Sequence, residues 1–565
     1  MKKKTTPLAA VVLLVLVVGL VYVLTFLVRK YTPTSEVMSG EEYFGISEEQ
    51  AALIVDTEVT TYRGKIEDEV VYVEYAAVKD LLNARFYWDA DAELMLYTTP
   101  DDIIQIPAGS MEYTASGKKQ SLNYQIVKTE GEKLWVALDF VQKYTNLDYE
   151  MYHDPERIVV AKTWGEVSCA TVRKKAKVRQ LGGIKSPILR EVSKNEVVTV
   201  LEDLDDWMEV MTTDGYRGYI RSNALKDIRT ETRSRDFEEP VYEGIHREDT
   251  ISLVWHQTTS MESNYNINSD IANVDGVNVI SPTWYSIVDN KGTISSLALS
   301  DYVNVAHSSG MEVWGLVDNF NTEVSFAEVM NHTDSRWNVE DQLIASAREN
   351  GLDGINIDFE SISEDAAEGY VQFMREMSVK CHKNKLVLSV DVPVPMPFTA
   401  HYNRKELGIV SDYVIVMGYD EHYSGSETAG SVASISFEKQ GIENTLQDVP
   451  AARVISGVPF YTRLWSTKIQ EDGTASVTSE AMGMSAAKQV LENNDVKASW
   501  DETTAQNYAE FSGDDGTLYQ IWMEDEESLS RKLSLVKEYQ LAGGAAWKLG
   551  FEKNSIWKTI KEYLS

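Results

Sequence analysis

The 565 residues carry 88 acidic against 53 basic side chains, a formal charge of −35, which excludes nucleic acid as a main partner because such affinity rests on Lys and Arg neutralising phosphates. A chain of this length exceeds one hydrophobic core and is expected to fold as about three or four units. Cys169 and Cys381 are the only cysteines and fall in different expected units, so no disulfide framework is implied. The eight histidines are scattered, with His256 near a strand end and His422 after Asp420, neither in a Cys/His ligand spacing. No metal and no cofactor is expected.

The amino terminus reads MKKKTTP and runs into an apolar stretch, Leu8 to Val28, broken only by Gly19, Tyr22 and Thr25. As a helix it would extend roughly 31 Å, which matches the hydrocarbon core of a bilayer. No small-residue cleavage site follows, so an anchor that stays is expected, rather than a removed signal peptide. Lys2, Lys3 and Lys4 outnumber Arg29 and Lys30, and the positive-inside rule then places the amino terminus in the cytoplasm. Residues 1–30 are thus expected to be a cytoplasmic tip and transmembrane anchor. Everything after them is then expected outside the cell, on a single-pass membrane protein.

From about 41 to 165, segments such as YVEYAAVKDLLN, FYWDADAELMLYTT and KLWVALDFVQKYT alternate short strands with amphipathic helices. They predict an α+β stalk, and resemble the copper amine oxidase N-terminal-like module of bacterial surface proteins, a resemblance that implies no copper site. From about 168 to 228, SPILREVSKNEVVTVLEDLDDWMEVMTTDGYRGYIRSNAL predicts a small β-barrel with turns at Lys194-Asn195, Asp214-Gly215 and Gly218. It resembles a bacterial SH3-like wall-associated domain. Its Trp207 and Tyr219 are candidates for peptide or glycan contact, with core packing as the plainer reading. A polar linker, 229–247, leads to the last unit, 248–565.

That unit repeats one grammar, an apolar strand ending in polar or aromatic residues. The expected strands are Ile251 to Gln257, Val277 to Tyr285, Val313 to Asn319, Gly354 to Glu360, Leu386 to Pro393, Tyr413 to Asp420, Val454 to Tyr461 and Gly544 to Leu549. Eight such strands are countable, and with the motifs set out below they resemble an α/β chain whose main unit is a (β/α)8 TIM barrel, a fold whose site lies at the carboxyl ends of the strands. Between the last two strands a long insertion is expected to form a small α+β element, with a helix near Ala481 to Asn493 and a strand near Thr517 to Asp525. In DGINIDFE, Asp353 to Glu360, strand alternation turns Ile355, Ile357 and Phe359 to one face and Asn356, Asp358 and Glu360 to the other. Carboxyls crowded on one buried face have their pKa values pushed apart, which gives an acid that keeps its proton beside an anion. An edge strand with a solvated acidic face is the alternative that alternation alone leaves open.

DGINIDFE resembles the catalytic pattern D-x-x-D-x-D-x-E of the family 18 glycoside hydrolases, chitinase-like barrels. The later motifs follow in the family's order: MGYD for M-x-Y-D, GVPFYTR for G-x-P-F-Y-G-R, and a Trp in the eighth strand. The resemblance implies that Glu360 is the general acid/base, and that Asp358 and Tyr419 hold the substrate's 2-acetamido group, whose carbonyl oxygen is the nucleophile. It implies substrate contacts for Asn356, Met417, Asp420, Tyr461, Arg463 and Trp547. Asn356 stands where the family usually has Asp, an amide expected to hydrogen-bond to Asp358 and to alter pH behaviour. Asp353 is divided between structural hydrogen bonds and substrate, and Asp391 is expected near the mouth. Related hydrolases of spore and wall peptidoglycan share the Asn, so the expected partner is a glycan, peptidoglycan ahead of chitin, with wall contact through the SH3-like unit. The alternative class is a catalytically silent carbohydrate-binding wall protein.

Overall fold

A computed structural model describes residues 7–47, 49–471 and 473–564, so Lys2, Lys3 and Lys4 lie outside the described residues. The chain divides into two compact units, one reaching to Tyr87 with Ile106–Thr114 and Lys119–Glu239, the other comprising Trp88–Gln105, Ala115–Lys118 and Pro240–Ser565.

In the first unit the apolar run is a helix, Pro7–Tyr31, whose stretch Ala9–Tyr31 has a mean hydropathy of 3.2 and no buried share. The Thr25 hydroxyl, polar within that run, donates to the Val21 carbonyl at 2.6 Å. Immediately after the helix the backbone docks on the first residue of an edge strand and the turn before it: Thr34 N donates to Ile184 O at 2.8 Å, Ile188 N to Glu36 O at 2.8 Å and Met38 N to Ile188 O at 3.0 Å. Lys185 Nζ donates to Thr32 O at 2.6 Å. The edge strand, Ile188–Val192, belongs to a seven-stranded antiparallel sheet spanning 165–233, the SH3-like fold, packed around Val172, Val178, Val198, Val210 and Ile220. Asn195 and Gly215 take positive φ, 68° and 91°, at its tight turns. Gly218 is no turn residue; it lies inside strand Arg217–Arg221, where a Cβ would meet the Arg179 carbonyl oxygen at 2.5 Å. Trp207 is buried, with the Arg221 guanidinium 4.6 Å above its ring. A second seven-stranded sheet runs Asp148–Tyr152, Arg157–Ala161, Ala51–Val55, Glu58–Glu67, Val70–Glu74, Lys133–Ala137 and Val127–Glu130 in spatial order, with short helices such as Leu138–Lys143 against it.

The second unit is a closed parallel barrel. Its strands are β1 (Ile251–His256), β2 (Val279–Ile287), β3 (Glu312–Asp318), β4 (Gly354–Asp358), β5 (Val387–Pro393), β6 (Tyr413–Met417), β7 (Val454–Pro459) and β8 (Gly543–Trp547). Each is parallel to the next, and β8 pairs with β1 to close the ring. All eight expected strands are present, with ends shifted by a few residues. Outward residues such as Ile355, Ile357 and Phe359 join the large core shared with the helices. Inward residues Leu253, Val279, Trp314, Leu316, Val387, Ile415 and Ile455 fill the barrel, so the interior is apolar at its base and, as shown below, polar toward the mouth.

The expected insertion follows β7 as an antiparallel sheet, with Tyr461–Ile469 between Ala475–Gly483 and Leu518–Met523, and a helix, Met484–Asn493. Buried polar groups tie it to the barrel. Glu524, ion-paired with Lys532, accepts from Gln506 Nε2 at 2.6 Å and from Ser528 Oγ at 2.8 Å. Nearby, Glu438 on helix Ile435–Thr445 accepts from Ser456 Oγ of β7 at 3.0 Å. Burial pushes the Glu438 carboxyl up to about 7, against the pull of Lys532. A carboxyl raised in the folded state contributes stability that is fully present below its unfolded pKa and is lost as pH rises through the folded value, here between about 4.5 and about 7. Glu438→Gln is therefore expected to raise the melting temperature of this unit by a few degrees at pH 8 and to change it little at pH 4, in thermal unfolding at the two pH values.

Candidate active site

The mouth of the barrel collects side chains from six strands. β4 ends at Asp358, and the chain continues through Phe359 to Glu360 before Ser361 turns it with φ 51°. Glu360 reaches solvent at the mouth. Its peptide is clamped on both sides by one residue: Glu360 N donates to Asn319 Oδ1 at 2.9 Å and Asn319 Nδ2 donates to Glu360 O at 2.9 Å. Desolvation, then the charges of Asp420 and Asp318, raise the Glu360 carboxyl above the ordinary glutamate range. Asp318, at the end of β3 and in register with Asp358, accepts from Ser286 Oγ at 2.8 Å and is itself raised, mainly by burial.

Asp358 is 5% exposed, and its Oδ1 is buried with no hydrogen-bond partner among the described residues. Burial, then the neighbouring Asp391, Glu360 and Asp318, push this carboxyl well above the usual aspartate range. A buried acceptor left unpaired costs about 1–3 kcal/mol, a cost that a ligand donor would remove. Asn356 does not reach Asp358. Its Nδ2 donates to Asp391 Oδ1 at 2.8 Å, while its Oδ1 accepts from Trp255 Nε1 at 2.9 Å and Ser281 Oγ at 3.1 Å. With no exposed surface, Asn356 supports the floor of the site instead of offering a contact to a sugar. Asp391 likewise lies inside the barrel, 1% exposed, not at the rim.

The remaining expected residues surround this centre. Tyr419 and Asp420 follow β6, where Asp420 takes φ 58° and accepts from Tyr461 OH at 2.5 Å. Tyr419 stands edge-on to Tyr461, with ring centroids 6.3 Å apart. Gly418 between Met417 and Tyr419 is required by close approach, since a Cβ there would meet Glu438 Cγ at 2.9 Å. Trp547 closes β8 and packs edge-to-face on Trp255 at 6.0 Å. Arg463 sits on the insertion's first strand, with Nη1 donating to Ser479 Oγ at 3.2 Å. Met417 lines a cavity of about 310 Å³ together with Glu360, Pro393, Phe398, Tyr419, Asp420 and Tyr423. Asp353 is at the opposite end of β4, where its Oδ2 accepts from Val313 N and contacts His307 Nε2, both at 2.8 Å. Its role there is structural.

Two supporting residues escaped the motif reading: Asn319 and Asp318, whose only sequence signal was a polar pair closing an apolar strand. The geometry can hold a proton on one carboxyl at the mouth and offer buried carboxyl oxygen to an N–H below it, against an aromatic wall.

The family model described as glycosyl hydrolases family 18 matches residues 255–552, more than half of the chain. The chain belongs to that family. The bacterial SH3 domain model matches residues 174–226; neither match extends over 41–165, where the resemblance to a copper amine oxidase module gains no support. Among curated relatives in Bacillus subtilis (strain 168), the chain is 29% identical over 287 residues to the "Putative sporulation-specific glycosylase YdhD", covering 50% of this chain and 63% of that protein. It is 24% identical over 282 residues to the cortical fragment-lytic enzyme, covering 48% and 64%. The match thus spans less than two thirds of either relative. Among solved structures, a chitinase from Chromobacterium violaceum ATCC 12472 shares the fold at TM-score 0.50 and 21% identity, covering 56% of this chain and 99% of that one.

Asn319→Ala removes both hydrogen bonds to the Glu360 peptide. Each such bond is worth about 0.5–1.5 kcal/mol, so the variant should lose about 1–3 kcal/mol of stability in denaturant unfolding followed by circular dichroism.

Proposed function

We propose that this chain is a membrane-tethered extracellular glycosidase that hydrolyses β-1,4 bonds at N-acetylated amino sugars of peptidoglycan. The observation that carries the reading is the unpaired, buried Oδ1 of Asp358 beneath a solvent-reaching Glu360 whose proton affinity is raised. An acetamido N–H is the donor that completes Asp358, and it places the acetamido oxygen beside the anomeric carbon. Glu360 gives its proton to the leaving glycosidic oxygen as the acetamido oxygen attacks, and Asp358 and Tyr419 steady the cyclic oxazolinium ion. Glu360 then takes a proton from water, which opens the ring, so configuration is retained without a protein nucleophile. Trp547 floors the sugar, Asp420, Tyr461 and Arg463 hold its hydroxyls, and Met417 borders the leaving side. Peptidoglycan is favoured over chitin because a curated relative is a cortical fragment-lytic enzyme. The SH3-like unit fits wall attachment. The working division is an anchor at 1–30, a stalk at 41–165, an SH3-like domain at 168–228, a linker at 229–247 and the barrel at 248–565.

Loss of a general acid costs about two to four orders of magnitude. Glu360→Gln is therefore expected to abolish reducing-end release from purified peptidoglycan and from chitooligosaccharides while leaving oligosaccharide binding intact. Near-parental hydrolysis by the variant would remove Glu360 from the mechanism, and a parent that binds these glycans but cleaves none would make the protein a lectin.

The tether rests on the Ala9–Tyr31 helix. Protease added to intact cells should degrade the barrel, and the full-length chain should sediment with membranes. A mature chain released into the medium without its first 30 or so residues would mark the helix as a signal peptide.

A further inference from the structure

Asp358 on β4 and Asp391 on β5 are both buried in the barrel interior. The register that pairs Gly354 with Val387 runs through Ile357 and Val390, which brings the two aspartates to one level of neighbouring strands. The titratable groups facing them offer no compensating charge: Glu360 and Asp318 are acidic, and Tyr370, Tyr402 and Tyr419 are phenols. Arg404, whose charge is felt by Tyr370 and Tyr402, directs its guanidinium to Thr399 O at 2.9 Å, Thr399 Oγ1 at 2.8 Å and Pro393 O at 3.0 Å. Two carboxyls confined together without a cation cannot both ionise near neutral pH, so the pair must hold a proton.

Asn356 decides how it is held. Trp255 and Ser281 both donate to its Oδ1, so the amide cannot flip without losing two bonds, and Nδ2 is committed to Asp391 Oδ1. Asn356 and the Trp255 indole both favour the ionised form of Asp391, so in the free protein the pair's proton belongs on Asp358. Asn356 stands where the family pattern has Asp, so the carboxyl absent from β4 comes from β5.

We infer that Asp391 is a positioning residue that takes up the pair's single proton when Asp358 ionises against the substrate's acetamido N–H. The proton leaves an Asp358 oxygen and arrives on an Asp391 oxygen; the pair carries one negative charge before and after. Asp391 touches no substrate and acts only through Asp358. This inference rests on the proposed glycosidase reading, and it is tested by a measurement that needs no turnover.

The experiment uses the full chain, with Asp391→Asn, Asn356→Asp and the exchanged double variant Asn356→Asp/Asp391→Asn, each first checked for folding by thermal unfolding. Infrared difference spectra against pH report the protonated buried carboxyl in the free protein. Groups coupled by a shared proton shift each other by more than about one pK unit. The band is therefore expected to titrate at least about one unit lower in Asp391→Asn, higher in Asn356→Asp, and near the parental value in the exchanged variant, with the acidic limb of kcat following the same order. Should Asp391→Asn not fold, the shift between Asn356→Asp and the exchanged variant carries the same sign and decides the matter. Identical titration in parent and Asp391→Asn, or an exchanged variant no nearer the parent than the single one, overturns the inference. If the titrations follow the expected order but the parent hydrolyses no N-acetylated glycan, the proton-holding pair stands and the glycosidase reading falls.

Discussion

The mouth of this barrel is arranged around acidic side chains, and at its inner end Asp358 and Asp391 are taken out of water with no cation beside them among the described residues. Burying charge in that way is expensive, and the structure meets the expense by distributing dipoles. Ser286 serves Asp318, Asn356 serves Asp391, and the indole of Trp255 fixes the direction of Asn356. Only the Oδ1 of Asp358 is left out of this sharing. The apolar plug of Leu253, Trp314, Leu316 and Ile415 beneath keeps solvent from screening the group from below, so the field of each acid is felt by its neighbours. A site of this kind is preorganised in the sense that its polar groups are already oriented before a substrate enters.

What could be read from the linear sequence was what depends on short periods. The two-residue alternation of Asn356, Asp358 and Glu360 survives intact, because a strand fully packed on its outer face cannot slip by one residue without burying its polar set in the helical core. The order of the later motifs placed Tyr419, Asp420, Tyr461 and Trp547 around one opening for the same reason: each closes a strand at the same end of the barrel. The insertion's helix and strand were likewise visible as local patterns.

What stayed hidden depends on register between strands. The partner of Asn356 is 35 residues away, and nothing in LVLSVDVPVP says that Asp391 meets an amide on its left-hand neighbour, so the expected bond from Asn356 to Asp358 was misdirected. Asn319 could not be distinguished in sequence from a solvated loop residue, since its function lies in two hydrogen bonds to a peptide group rather than in its side-chain type. Gly218 was read as a turn because glycine is permissive, whereas here it is used for the absence of a Cβ beside the Arg179 carbonyl. In the stalk, strand and helix patterns were legible but carried no information about which module they compose.

The docking of the chain after Tyr31 on the edge strand at Ile188 has a mechanical consequence. Only two residues separate the end of the helix at Tyr31 from the first of these bonds, made by Thr34. A domain joined to a helix by a slack linker samples a volume whose radius is set by linker length; here there is almost no linker. The SH3-like fold therefore cannot turn freely against the Pro7–Tyr31 helix, and a pull on either is passed to the other through these backbone hydrogen bonds as well as along the chain. The same bonds occupy Ile188 at the start of that strand, so another extended chain can pair at that end only by first displacing the segment that follows the helix.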